Sequence, residues 1–500
     1  MFKNIKIQLV LLVLVLLNWS CANDEGNYDY NAINELNVTG IQEEYTVYNG
    51  DPFVIKPNLN PTLDDGSTKD RYEYEWVAVN PSKLASESRT TIATTKDYND
   101  VLKLPPAKYT VYYFIKDKIT GVRWQQKPFT LNVVSSIYEG WMIIGNVDGK
   151  ARLDMVSIIP GSTNIRIIND VLDFSGSALK LEGKAVDVDC FTSALPTTSP
   201  TYGVYVTASE SGTARLDPDS FGWVPTQNIA YETIGGALPN NFGVDFMKAV
   251  GLGGENFLYS DGNIYYYNKA QQIRYGLPQN KVETEAKNFY AAPFIAESVV
   301  SSPYNPVFFD RDLRRFLRFN TLKGSCSAMP PLVGSSTVLD WNKTNSDLVY
   351  MTSSDYNQGE SFAVLKNLTT GKYQLLRFSP ALLQTYFKEI LNAPDFDKAT
   401  KFAVSPDTGY LFYTVGNKVY EYDSGTQSAK LMLDKGNEEI TYLGFSKRGK
   451  KEIVNKLLVG SYSTTGKLEL YTVPPVNGNL ILENSYSNLC KIVDVTYRVR

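Results

Sequence analysis

The last patterned stretch of the chain, KIVDVTYRV at residues 491–499, reads as the inner strand of a sheet whose outer strands never follow. The complementary defect lies at residues 139–158, EGWMIIGNVDGKARLDMVSI, which read as outer strands with no inner strand before them. Pairing the two segments repairs both defects and removes an edge that a ring of sheets would otherwise leave open. The expectation is a circular arrangement in which the C-terminal strand completes the sheet begun near Tyr138.

The stretch between these ends supports a ring. From Ile137 onward an apolar strand, a polar loop and one or two aromatic strands recur with a period of roughly 40 to 60 residues, which points to a β-propeller. Innermost strands are expected at Lys184 to Cys190, Phe246 to Leu252, Phe294 to Val300, Thr337 to Trp341, Thr400 to Val404, Ile440 to Phe445 and Ile492 to Arg498, giving seven blades. Outer strands follow in segments such as NFLYSDGNIYYYN, DLVYMTSSD and GYLFYTVGNKVYEYD. One departure is expected: Ala381 to Leu391 spaces Leu382, Leu383, Tyr386, Phe387 and Ile390 as the buried face of a helix.

Upstream, residues 28–135 carry short strand-like runs that suit a β-sandwich. In RYEYEWVAV the alternation sets Tyr72, Tyr74 and Trp76 on one face, as in a core-facing strand. The acidic turn at Asp64, Asp65 and Gly66 reads as an Asp-rich β-turn in preference to a calcium loop. With 34 Tyr and 23 Phe and little helical periodicity, the fold class is mainly β.

The N-terminus has the pattern of an export signal. Lys3 and Lys6 form a basic region, and Ile7 to Leu17 are apolar except for Gln8, too short to span a bilayer. Ser20 supplies the small residue before Cys21, so residues 1–20 are expected to be removed and Cys21 to be lipidated, with residues 21–27 as a tether. Cys190, Cys326 and Cys490 lie far apart, without metal-knuckle spacing, and are expected as buried thiols.

Composition excludes several chemistries. The chain contains no histidine, which removes Ser-His-Asp and Cys-His catalysis, His-ligated zinc and HExxH peptidases. The net charge is −4, and the mature chain has 47 basic against 53 acidic residues, which argues against nucleic acid as a partner. No metal or cofactor is expected.

Candidate sites are carboxylates and rings. Asp187, Asp189, Asp245, Glu297, Asp340 and Asp494 lie on or beside the expected inner strands, facing a central channel. Like charges there would raise one carboxyl pKa and create the acid and base that a glycosidase or lyase needs. The plainer reading is a hydrated channel lined with acid groups. Trp223 in SFGWVP and Tyr356 in SSDYNQGES sit in loop-like surroundings and, with Asp187, Asp189, Asp340 and Asp494, are the candidate ligand contacts. Ser177 and Lys180 form an SxxK by spacing, but lack the companion motifs of serine–lysine enzymes. GLGGEN from Gly251 lacks the third glycine of a dinucleotide fingerprint.

The segments of residues 28–135 resemble the polycystic-kidney-disease-type immunoglobulin-like sandwich. The lipobox with its acidic Ala-Asn-Asp-Glu follow-on, the segment GNYDYNAINEL, the sandwich and the terminal KIVDVTYR together resemble Bacteroidota surface lipoproteins of the PKD-like family. That resemblance implies an outer-membrane, lipid-anchored protein facing outward, encoded beside SusC/SusD-type import systems. It further implies an accessory, non-enzymatic subunit that captures an oligopeptide or oligosaccharide with a SusC/SusD-like transporter pair. The alternatives are a carboxylate-dependent glycan-degrading propeller and a purely architectural subunit. The domain organisation read from the sequence is signal peptide 1–20, lipidated tether 21–27, sandwich 28–135 and propeller 136–500.

Overall fold

The computed structural model describes residues 34–499, apart from 66–69, 159–164, 193–201, 236–237, 251–253, 269–270, 272, 298–305, 332–337 and 447–452. Cys21 and the signal segment lie outside the described residues. The chain separates into two compact units, one ending at Val134 and the other running from Ser135. Strands dominate both, and among the described residues no helix is long and apolar enough to cross a membrane.

In the N-terminal unit, Tyr72–Val79 and Ala107–Asp117 form the centre of a six-stranded sheet. Glu44–Tyr48 joins its edge by parallel pairing with Phe129–Val134. Two antiparallel ladders, Leu36–Thr39 with Asn58–Pro61 and Pro52–Ile55 with Tyr98–Val101, complete the unit. Their apolar side chains meet those of the large sheet in one core around Trp76, which is fully buried and stacks on Tyr113 at 4.1 Å. Tyr72, Tyr74 and Trp76 do share a face, which Ala78 continues into the core, and the pairing with Arg89–Ala93 shifts register after Trp76. Asp64 is fully engaged by structure: it pairs with Arg71 at 2.8 Å and accepts the Tyr72 hydroxyl at 2.6 Å.

The second unit is a propeller-like succession of seven antiparallel sheets, each built from neighbouring segments of chain. Seven strands position the site: β1 (Gly140–Val147), β2 (Ala185–Thr192), β3 (Phe246–Val250), β4 (Ser346–Ser353), β5 (Phe402–Val404), β6 (Glu439–Phe445) and β7 (Lys491–Arg498). All but β1 are the first strand of their own sheet or, for β7, the strand added to the sheet of β1.

β7 pairs antiparallel with β1, setting Trp141 opposite Tyr497 and Asn146 opposite Lys491, so the first sheet is assembled from both ends of the unit. The register shifts between Ile144 and Gly145, and a Cβ on Gly145 would lie 2.3 Å from the Lys491 carbonyl oxygen. Only glycine permits that approach. Behind the ladder, Arg498 is completely buried, donates to the carbonyls of Ile137 and Pro218, and lies over the Phe221 ring at 4.8 Å. The Tyr497 hydroxyl donates to Glu139 at 2.7 Å.

Two sequence expectations fail. The helix over Ala381 to Leu391 is instead the strand Gln384–Glu389, the outermost of the fifth sheet. Leu382 takes φ +59° in a turn closed by its amide on the Ser379 carbonyl, which stops a helix before its first turn, and Leu383 is exposed. Thr, Tyr and Phe then favour pairing with Tyr373–Phe378. The second failure is the inner strand at Thr337 to Trp341: Val338 to Trp341 is not a strand, and β4, expected as an outer strand, takes that place. At Phe294 to Val300 there is only a bridge from Ala296 to Val307, with 298–300 outside the described residues.

Cys190, Cys326 and Cys490 are free, buried thiols, as their spacing suggested. Replacing Arg498 with Ala strips two buried carbonyls of their donor, so urea unfolding of the mature protein is expected to show a loss of roughly 3 kcal/mol. A loss below about 0.5 kcal/mol would show that the closing contact is not under tension from those carbonyls.

Candidate functional site

One cavity of about 620 Å³ is lined from six of the seven sheets of the second unit and by Glu297, beside the isolated Ala296–Val307 bridge to the remaining sheet. Asp494, Asp187, Met247, Tyr350, Phe402 and Tyr442 line it from β7, β2, β3, β4, β5 and β6, and Glu297, next to the Ala296 bridge, lines it for the fourth sheet.

Strand alternation explains how acid groups came to face inward. In AVDVDC, Asp187 and Asp189 share one face of β2, while Val188 and Cys190 point into the core between the first two sheets. Three of the cavity carboxylates then find backbone donors. Asp494 accepts the Val188 amide at 3.2 Å, and Asp187 accepts the Met247 amide at 3.2 Å. Asp189 accepts its neighbour Cys190's amide at 2.8 Å and the Thr496 hydroxyl at 3.4 Å.

The first two of these bonds reach the inner strand of the next sheet, and other side chains repeat the pattern around the ring. Lys248 donates to the Ile295 carbonyl at 3.3 Å and pairs with Glu297 at 3.0 Å. The Ser354 hydroxyl reaches the Ser405 carbonyl at 3.3 Å, and the Tyr442 hydroxyl the Val495 carbonyl at 3.4 Å. Many polar groups of the cavity wall are therefore fasteners between sheets. Between them the lining is aromatic, with Tyr350 stacked on Phe402 at 5.4 Å.

Burial, together with the charges of Asp494 and Asp189, pushes the Asp187 carboxyl well above the usual carboxylate range. Burial likewise pushes Asp494 up to about 6. Burial and the Asp494 charge push the Tyr442 phenol up.

The structure separates the sequence candidates. Asp187, Asp189, Glu297 and Asp494 come together in the cavity. Asp340 does not; it is exposed and caps a turn by accepting the Asn342 amide at 3.0 Å. Asp245 is also exposed and accepts the Asp261 amide at 2.9 Å. Trp223 packs against the core between the first two sheets, with its indole N–H on Asn228 at 3.1 Å. Tyr356 lies over the Arg377 guanidinium at 5.1 Å and fills the space above Gly409. Neither ring lines the cavity. Ser177 accepts the Leu179 amide within its turn at 3.4 Å. Gly251 lies outside the described residues. Sequence reasoning missed Lys248, Tyr350 and Tyr442; the first and last sit on strands it had placed correctly, where the alternation that exposed Asp187 would have found them.

One acid group lies off this site and has no such fastening. Glu421, on the strand Lys418–Asp423, is buried, and among the described residues neither of its oxygens has a hydrogen-bond partner. Its cross-strand neighbour Lys430 donates instead to Asn477 and Asn479, each at 2.8 Å. Burial pushes the Glu421 carboxyl up to about 7. Because the folded pKa lies above the unfolded value, the native state gains protons relative to the unfolded chain, and stability falls as pH rises from about 4.5 to about 7. Replacing Glu421 with Gln is expected to stabilise the protein by ~1–2 kcal/mol at pH 8 and by little at pH 4.5, measured by urea unfolding at both pH values.

No curated protein matches the chain. Among solved structures, a Bacteroides uniformis protein assigned as a 6-phosphogluconolactonase is 12% identical, with 86% of this chain and 100% of that one covered and a TM-score of 0.34. The extracellular domain of a Bacteroides thetaiotaomicron protein assigned as a one-component system is 11% identical, with coverage of 88% and 66% and a TM-score of 0.37. A GH74 xyloglucanase from Xanthomonas campestris is 10% identical, with coverage of 77% and 65% and a TM-score of 0.37. Likenesses this distant identify no activity. In sequence, residues 21–180, which take in the whole N-terminal unit and the β1 end of the first sheet, match the model of the PKD-like family.

Proposed function

We propose that this protein is a lipid-anchored outer-membrane lipoprotein whose second unit is a seven-bladed β-propeller, closed by β7, that binds ligand in its central cavity. It acts as an accessory subunit of a SusC/SusD-like importer and captures an oligopeptide or oligosaccharide without transforming it. The observation that carries the binding role is a cavity lined from six of the seven sheets, and by Glu297 beside the other, with both acid groups and rings. The signal segment and Ser20-Cys21 support the anchor, and the family match begins at Cys21.

The lining narrows the ligand. Asp187, Asp189, Glu297, Asp355 and Asp494 line it with Lys248, which is bonded to Glu297 and is the only lining cation among the described residues. Such a field repels phosphorylated or uronic ligands. Amino groups of a peptide, or sugar faces stacked on Phe246 and Phe445, suit it better.

The test is a gentle-detergent pull-down of tagged protein from its native outer membrane, with proteins and small molecules read by mass spectrometry. Recovery of a SusC/SusD-like pair is expected, and replacing Cys21 with Ser is expected to shift the protein from the membrane to the soluble fraction. Recovery of the lipoprotein alone would refute the importer role, and an unmoved Cys21→Ser variant would refute the anchor.

A further inference from the structure

The chain contains Asn-Gly twice, at residues 49–50 and 477–478. Glycine has no side chain to shield its amide, so in this dipeptide the asparagine side chain is most open to attack by the next backbone nitrogen. The fold treats the two copies differently. Asn49–Gly50 is locked by three bonds: the Asn49 amide donates to the Val134 carbonyl at 2.9 Å, its Nδ2 to the Leu104 carbonyl at 2.7 Å, and the Gly50 amide to the Leu102 carbonyl at 2.8 Å.

Asn477 lies in the connection between Gly466–Thr472 and Ile481–Leu489, the last two strands of the seventh sheet. Val476 and Asn477 are both left-handed, with φ +58° and +52°, and form the centre of a turn whose closing bond, from the Gly478 amide to the Pro475 carbonyl, is long at 3.4 Å. A β-branched residue is strained in that conformation, and Val476 is 88% exposed, so little packing offsets the strain. The Asn477 side chain is held as weakly, with Nδ2 donating to Asp423 at 3.4 Å. Its backbone amide reaches the Tyr410 hydroxyl at 3.4 Å. Opening this turn therefore costs less than opening the one at Asn49.

We propose that Asn477 is a site of spontaneous deamidation in the folded protein, while Asn49 is protected. Hydroxide removes the Gly478 amide proton, and the nitrogen attacks Cγ of Asn477. The Cγ–Nδ2 bond breaks, Nδ2 takes a proton from water and leaves as ammonia, and a succinimide ring remains. Water then opens either carbonyl of the ring, giving aspartate or isoaspartate. The sum is amide and water to acid and ammonia, with nothing oxidised or reduced. Either product acts on the boundary between the sixth and seventh sheets. Aspartate sets a carboxylate where an amide donated to Asp423, and isoaspartate reroutes the main chain through the side-chain carbon, displacing the Asn477 carbonyl that Lys430 holds at 2.8 Å. The proposal does not depend on the anchor, the importer or a ligand.

Peptide mapping by mass spectrometry tests this on the full mature protein held at pH 8, both folded and in urea. In the folded protein the acid form at 477 is expected to accumulate about tenfold or more faster than at 49, because the bonds that hold Asn49–Gly50 must open first. In urea both asparagines precede glycine in a flexible chain, and comparable rates are expected. Asn477→Gln, whose longer side chain closes a larger ring more slowly, is expected to abolish the conversion in its peptide and to leave that at Asn49 unchanged. Equal rates at the two sites in the folded protein would overturn the proposal, as would a folded Asn477 that stays intact while the chain in urea converts. A conversion that persists in the Asn477→Gln variant would assign it to Asn479, Asn484 or Asn488 and overturn the proposal equally. If that variant does not fold, fragment ions from the wild-type peptide locate the acid among these asparagines and decide alone.

Discussion

Everything in the second unit depends on one antiparallel ladder, that between β1 and β7. Six of its seven sheets are local: each is completed by strands close in sequence, and its pairing follows from alternation and short turns. The first sheet is different, because its innermost strand arrives from the far end of the chain. Without that strand β1 would present unpaired amides and carbonyls, and the cavity would lose the wall that carries Asp494. Chemistry unusual for a β-sheet interior is concentrated there: a glycine pressed against the partner backbone, a buried guanidinium serving two carbonyls, and a tyrosine hydroxyl on a buried glutamate.

The ring of inner strands is held by a second device. Propeller sheets meet through apolar side chains, which are nondirectional and tolerate sliding. Side-chain-to-backbone bonds do not. Asp494, Asp187, Lys248, Ser354 and Tyr442 each tie a backbone group of a neighbouring inner strand or of the segment beside it, so the same residues that give the cavity its polarity also fix its geometry. This double duty explains why an acid-rich cavity need not be a catalytic one. It also means that changes made to alter ligand preference at these positions alter the frame that holds the cavity.

Much of this was legible in the sequence. The incomplete patterns at 139–158 and 491–499 can be reconciled only by joining them, and β2, β3, β5, β6 and β7 all lie where their alternation placed them. What escaped the sequence was local backbone conformation. Leu382 enters a left-handed conformation that no helical periodicity signals, and the five apolar residues after Pro380 fit a helix and an edge strand alike. Asp340 illustrates the limit for sites: beside Trp341 it resembles an inner-strand carboxylate, yet its side chain is committed to the turn that follows. Trp223 and Tyr356 were chosen for their loop surroundings, but a ring in a loop is as able to seal a core edge or cover an arginine as to meet a ligand. The bond from the Val188 amide to Asp494 lies beyond any sequence reading, since the two residues are 306 positions apart.

The closing ladder also imposes an order of events on the nascent chain. Tyr497 and Glu139, bonded in the folded protein, are 358 residues apart, a separation that places this contact among the slowest kinds to form. The N-terminal unit contains every strand it needs and can fold while the remainder is still being synthesised. The second unit has no such freedom, because its first sheet stays one strand short until the final residues emerge. A message cut short near its end would therefore yield a chain with six complete sheets and one sticky edge, a natural mark for quality-control proteases.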